Sequence, residues 1–389
     1  MDIQLGLEVF LDSQNDVVID KRVGLVACPS SVDHNLRSAV ELLYEHPAVN
    51  LVALFGPEHG LRGDAQAGNH VGTYIDTLTT LPVHSLYGET HKPSAEMLDN
   101  LDTIVIDLQD GGVRFYTYLA TITNIMNAAS EQGKSVIVLD RPAPITASRI
   151  EGPILDPEFT SFVGPYPIPI RYGMTIGEIS LLINEHFEIG CDLTVVPMKN
   201  WSRDQWFDET DIPFIPSSPN LPTLTSMTAY PGTCLIEGTN MSEGRGTTKP
   251  FEYIGAPWIN AESLADTLNE LDFAGVRFRP VYFVPTFSKY EGELCAGVHV
   301  YITDRDHFQP ITTILHLIQI VKTTYPTDFM WRKPWDSGKR NPIDLLCGGS
   351  MVREHLNANR PITELEESWQ VDLHAFSQLR AKYLLYPAT

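Results

Sequence analysis

The first half of the chain alternates short apolar runs with segments of helical period. Residues 23–27 (Val-Gly-Leu-Val-Ala), 49–55, 103–106 (Thr-Ile-Val-Ile) and 135–139 (Ser-Val-Ile-Val-Leu) are short, continuous and mostly β-branched or aliphatic. Runs of this kind predict strands buried on both faces, as in a parallel sheet covered by helices. Residues 81–83 predict a weaker strand, with Pro82 placing it at an edge or at a strand start. Helical patterns over 37–44 and 118–132 separate the runs. Thr175 and Glu178 have the spacing of a capping box, which predicts a helix to about residue 187, and 193–196 predicts a further strand. Strand–helix alternation of this sort defines an α/β fold.

The texture then changes. Residues 211–222 carry prolines at 213, 216, 219 and 222, too many for a regular element. A domain boundary is expected just after them, giving domains 1–225 and 226–389. The second domain reads as α+β, with helices over 261–271 and 311–325 and alternating strands over 276–284 and 294–302. The intervening segment 230–248 is polar and glycine-rich, and predicts a binding loop or a loose surface loop.

Composition narrows the partners. The 43% hydrophobic content is globular rather than disordered. The formal charge of -22 argues against nonspecific binding to nucleic acid or an anionic membrane, so any anion site must be a local cluster. No apolar stretch reaches the length of a membrane span. Five widely spaced cysteines give neither a disulfide framework nor a zinc motif, and are expected as buried thiols. No basic region followed by an apolar run opens the sequence, which predicts a cytoplasmic protein, or a periplasmic or secreted one if the sequence is a trimmed mature form. Nothing in the chain specifies the oligomeric state.

In open α/β sheets ligands bind beyond the carboxyl ends of the strands, and the residues there carry chemistry. The strand ending at Phe55 runs into Gly-Pro-Glu58-His59-Gly-Leu-Arg62-Gly. A stiff residue before Glu58 and a permissive one after it suit a fixed general acid; the alternative is a surface turn. His59 is a candidate for orienting Glu58 or binding substrate. The strand ending at Ile106 runs into Asp107-Leu-Gln109-Asp110-Gly-Gly-Val-Arg114-Phe-Tyr116-Thr-Tyr118. Asp107 is a candidate anchor for a substrate hydroxyl, and Asp110 a candidate second carboxylate, against the alternative of an Asp-Gly turn. The third strand ends at Asp140-Arg141-Pro142, read as an internal ion pair. Arg62 and Arg114 offer an anion clamp, or salt bridges to neighbouring carboxylates. Tyr116 and Tyr118 offer a stacking wall for a sugar, or buried tyrosines. In the 230–248 segment the polar candidates are Glu237, Asn240, Glu243 and Arg245. Its Gly-x-Gly lacks the dinucleotide fingerprint, and the chain has neither a Walker A motif nor a G-x-S-x-G elbow; no cofactor is expected.

Taken together, the motifs at 55–63, 107–118, 139–142, 172–178 (Tyr-Gly-Met-Thr-Ile-Gly-Glu) and 230–247, with Lys289-Tyr290-x-Gly292-Glu293-x-Cys295 and Thr303-Asp304-Arg305, closely resemble the NamZ family of bacterial exo-β-N-acetylmuramidases. The resemblance covers nearly the whole chain. It implies a Rossmann-like N-terminal domain, a smaller C-terminal domain and an active site in the cleft between them. It implies release of N-acetylmuramic acid from the non-reducing end of peptidoglycan fragments, with Glu58 as the acid/base. A glycosidase generally needs a second carboxylate, or the substrate's own acetamido group; Asp110, Glu237 and Glu243 are the candidates for the former. The lactyl carboxylate of muramic acid would be met by Arg62, Arg114 or Arg245. Two other readings stay open: a metal-dependent hydrolase using Asp107, Asp110, Asp140 and His59, and a non-catalytic binder of cell-wall sugars.

Overall fold

The computed structural model describes residues 2–63, 72–88, 90–334 and 340–388. In chain order its strands are β1 (Arg22–Ala27), β2 (Asn50–Gly56), β3 (Tyr74–Ile75), β4 (Pro82–Ser85), β5 (Thr103–Asp107), β6 (Ser135–Leu139), β7 (Glu151–Ile154), β8 (Pro169–Arg171), β9 (Asp192–Val196), β10 (Tyr253–Ala256), β11 (Val276–Phe283) and β12 (Cys295–Ile302). The helices are α1 (Gly6–Ser13), α2 (Ala39–Glu45), α3 (Ala95–Leu98), α4 (Thr117–Glu131), α5 (Ile176–His186), α6 (Leu224–Thr233), α7 (Ala261–Glu270), α8 (Pro310–Thr324), α9 (Pro342–Cys347), α10 (Met351–Asn357) and α11 (Ile362–Arg380). They form two compact units. One comprises Met1–Arg149, Tyr172–Pro219 and Ser377–Thr389; the other comprises Ile150–Arg171 and Asn220–Phe376.

The first unit is built on one sheet. Among the described residues its strand order is β3-β4-β2-β1-β5-β6-β9, and all neighbours are parallel except β3 with β4. Every residue of β5 is buried, and so are five of the six residues of β1. This is why these runs are continuously apolar: helices α1, α2, α4 and α5 flank the sheet, leaving few positions for polar side chains. The chain winds outward from β1 through β2 to β4, then returns to β5 on the other side of β1. The switch point therefore lies between β1 and β5, where ligands of doubly wound sheets gather. Pro82 opens β4, where its missing N–H is harmless, but β4 is not the edge strand: the two-residue β3 covers it.

The second unit carries a three-stranded antiparallel sheet, β10-β12-β11, and the hairpin β7-β8. The structure is thus mixed α/β, with a large, mostly parallel sheet and a smaller antiparallel one. One expectation is corrected here. Residues 230–238 are not loop: they end α6 and continue as a 3-10 turn over Cys234–Gly238. Gly232 is present because a Cβ there would lie 2.0 Å from the Pro310 carbonyl oxygen at the start of α8. It permits close helix approach, and from the sequence it is indistinguishable from a loop glycine. All five cysteines are buried and free. Among the described residues no helix is long and apolar enough to cross a membrane.

Candidate active site

The loop after β2 turns sharply. Gly60 N–H donates to the Pro57 carbonyl at 2.9 Å, and His59 and Gly60 both have positive φ, 72° and 78°. A non-glycine residue in that region costs on the order of 1 kcal/mol, and such residues cluster at functional sites. The loop folds back so tightly that a Cβ on Gly56 would sit 2.8 Å from the Leu61 nitrogen. The turn leaves Glu58 only 9% exposed, with the Thr117 hydroxyl donating to its Oε2 at 2.7 Å. His59 is buried beside it in sequence.

The loop after β5 carries Asp110, a candidate second carboxylate. Asp110 is buried; its Oδ2 accepts from the Gly112 N–H at 2.6 Å and from the Tyr172 hydroxyl, while Oδ1 has no hydrogen-bond partner among the described residues. Burial pushes this carboxyl up to about 6, against the opposing pull of those hydrogen bonds. Asp110 lines a narrow crevice with Gln109, Gly112, Pro142 and Met174. The Tyr116 phenol, itself pushed up mainly by burial, lies within electrostatic reach of both Asp110 and Glu58. Glu58 and Asp110 thus follow β2 and β5, the two strands that flank β1, at the carboxyl end of the sheet.

Tyr116 and Tyr118 are not a stacking wall in this structure. Both are buried and packed edge-to-face at 5.0 Å, and both hydroxyls are spent on Ser217, at 2.5 Å to its Oγ and 2.8 Å to its carbonyl. They anchor the first turn of α4. Asp107 is 0% exposed, and both its oxygens are held by Arg141, at 2.5 and 2.7 Å. The pairing expected within Asp140-Arg141 is therefore corrected: Arg141 reaches across to β5, and Asp140 accepts instead from Thr175 Oγ1 at 2.7 Å, the Gly177 N–H at 2.8 Å and the Tyr386 hydroxyl at 2.6 Å. Burial raises the Asp140 carboxyl to about 7, although these bonds oppose it. Thr175 and Glu178 form their capping box. Arg62 pairs with Asp76 at 2.5 Å, and Arg114 is fully buried.

In the second unit Arg245 bonds Glu237 at 2.7 Å and lies 3.3 Å from Glu243, whose other oxygen is 3.0 Å from Lys289 Nζ. Burial pushes the Glu243 carboxyl up, but Lys289 and Arg245 outweigh it and hold it below the usual range. The Asn240 amide donates to the Asp328 carbonyl at 2.8 Å and accepts from the Met330 N–H at 2.9 Å, so it pins a neighbouring loop. Among the described residues no three His, Cys, Asp or Glu side chains come together as a metal-ligand group. The three aspartates proposed for a metal are held instead by Arg141, Thr175, Gly177, Tyr172 and Tyr386.

Sequence reasoning missed Thr117, Tyr172 and Ser217. The first two lay inside quoted motifs; Ser217 sat in the proline-rich stretch read only as a boundary.

Known proteins bear on this site. Residues 23–225 match the family described as exo-β-N-acetylmuramidase NamZ, N-terminal, and residues 228–386 match its C-terminal counterpart. The peptidoglycan β-N-acetylmuramidase NamZ of Bacillus subtilis (strain 168) is 50% identical over 384 residues, covering 99% of this chain and 91% of that protein. Two crystal structures of DUF1343 family proteins from Bacteroides fragilis NCTC 9343 have the same fold. One has a TM-score of 0.90 at 39% identity over 99% of each chain, the other a TM-score of 0.78 at 29% identity over the full length of both. The chain belongs to the NamZ family of exo-β-N-acetylmuramidases.

Proposed function

We infer that this chain is a glycoside hydrolase, an exo-β-N-acetylmuramidase that releases N-acetylmuramic acid from the non-reducing end of peptidoglycan fragments, with Glu58 as its general acid/base. The observation that carries the role of Glu58 is its fixed, nearly buried placement on a strained turn at the end of β2, beside the sheet's switch point. Family membership carries the substrate class. In the first step the Glu58 carboxyl gives its proton to the glycosidic oxygen as the C1–O bond breaks, and positive charge develops at C1 and the ring oxygen. Asp110 is the second carboxylate of this reading, because it follows β5, beside the same central strand as β2, and its Oδ1 has no hydrogen-bond partner among the described residues. As the anion it would stabilise that developing charge or the acetamido group of the sugar.

The test is hydrolysis of the disaccharide N-acetylmuramyl-β-1,4-N-acetylglucosamine by the parent protein and by Glu58→Gln. The parent should release N-acetylmuramic acid, and the variant should lose about 10²- to 10⁴-fold in rate. Equal turnover by both proteins refutes the assignment of Glu58. Binding of the disaccharide by the parent without turnover would favour the non-catalytic reading.

A further inference from the structure

We propose that Thr117 is the positioning residue of the acid: its hydroxyl holds the Glu58 carboxyl in the orientation that delivers a proton to the leaving oxygen. The inference rests on the reading of Glu58 as general acid.

The local structure sets this up. Residues 116–118 read Tyr-Thr-Tyr, and both tyrosines are consumed by burial and by Ser217. They fix the first turn of α4, which has no side-chain cap of its own from Tyr116. Thr117 is the first residue of that helix and is the partly exposed one of the three. Its backbone is tied into the helix, where its carbonyl accepts from the Thr121 hydroxyl at 3.0 Å. Its side chain makes its hydrogen bond outside the helix, to Glu58 Oε2 at 2.7 Å. A donor on a rigid 15-residue helix thus meets a carboxylate on a separate, strained loop. Staggered χ1 wells leave the hydroxyl few positions on the helix, and its hydrogen bond to Glu58 selects one of them before substrate arrives. An acid that can rotate about its last torsion spends part of its time aimed away from the leaving oxygen. One well-placed donor narrows that range.

A bond that merely satisfied a buried carboxylate would make a different prediction. Its loss would loosen the loop and depress every reaction alike. Positioning of an acid matters in proportion to the need for protonation of the leaving group. The two roles are therefore separated by substrates that differ only there: the disaccharide above, whose leaving group is a poor one that needs the proton, and 4-nitrophenyl β-N-acetylmuraminide, whose nitrophenolate departs almost unaided.

The variants are Thr117→Val, which keeps the branched shape and removes the hydroxyl, Thr117→Ala, Thr117→Ser and Glu58→Gln. Thr117→Val should lower kcat/KM on the disaccharide about 10- to 100-fold, chiefly in kcat, and on the nitrophenyl glycoside by no more than about 3-fold. Thr117→Ala should show the same selectivity should the valine fit poorly, and Thr117→Ser should restore most of the disaccharide rate. Equal losses on both substrates, no loss, or failure of serine to rescue overturns the proposal. Glu58→Gln tells the two levels apart. If it spares the disaccharide, the acid assignment itself fails. If it shows the leaving-group selectivity and the Thr117 variants do not, only the role of Thr117 fails.

Discussion

The pair Asp107–Arg141 offers the sharpest test of how the site is supported. Replacing Arg141 by Met keeps an unbranched apolar stem and removes the guanidinium and its charge. Asp107 is then left as a 0% exposed carboxylate between β1 and β6, having lost donors at 2.5 and 2.7 Å. The Val32 carbonyl loses the same guanidinium, which donates to it at 2.9 Å. An effective dielectric of about 20 puts the attraction of two charges near 3.5 Å at about 5 kcal/mol. Breaking buried pairs by removing one partner costs about 3–5 kcal/mol. A loss of about 4 kcal/mol from the first unit is therefore expected for Arg141→Met, and a similar loss for Asp107→Leu. The double variant Asp107→Leu/Arg141→Met should lose much less than the sum, since no charge is then stranded. Urea titrations read by hydrogen exchange of a peptide spanning Thr103–Asp107 report on this unit rather than on the whole chain. Additive losses in the double variant, or less than about 1 kcal/mol for Arg141→Met, would refute the reasoning. A substrate anchor behaves differently: were Asp107 one, Asp107→Asn would raise KM at unchanged stability.

Two further outcomes follow from buried charge. Asp140 has a folded-state value of about 7 against 3.8 for an ordinary aspartate. Its contribution to stability is therefore fully present below about pH 4, declines as pH rises toward 7 and is flat above, because the native state holds a proton that the unfolded chain has released. Relative to Asp140→Asn, the parent protein should lose urea resistance between about pH 4 and pH 7, by at most a few kcal/mol at about 1.4 per pH unit, and no further above pH 7; parallel pH profiles for the two proteins would count against it. In the second unit, Lys289→Met leaves Glu243 with Arg245 as its remaining cation and also removes a donor from the carbonyls of Ile236 and Met241. It should cost about 3 kcal/mol, partly recovered by adding Glu243→Gln, as read by hydrogen exchange of the segment around residues 236–243.

How far the sequence foretold this depends on whether a residue's role is set by its neighbours in the chain or by partners brought in by the fold. The run Thr103–Ile106 was legible because a strand buried on both faces needs an apolar residue at every position, and that leaves its mark in the composition. The capping box at Thr175 was legible because both its partners lie within one turn. Asp140-Arg141 misled for the converse reason. Adjacent side chains at a strand end diverge, so Arg141 finds Asp107 on the next strand and Asp140 finds α5 and the tail at Tyr386. The same divergence makes sense of Tyr-Thr-Tyr at 116–118. The aromatic pair drew attention as a ligand surface, yet the tyrosines turn inward to Ser217 and it is the threonine between them that reaches the loop of Glu58. The motif's contact with the loop therefore runs through its smallest member: two rings fix the helix, and the helix holds one hydroxyl against the Glu58 carboxylate. That division of labour is invisible in a single sequence, because the partner of each residue, Ser217 or Glu58, lies about 60 to 100 positions away.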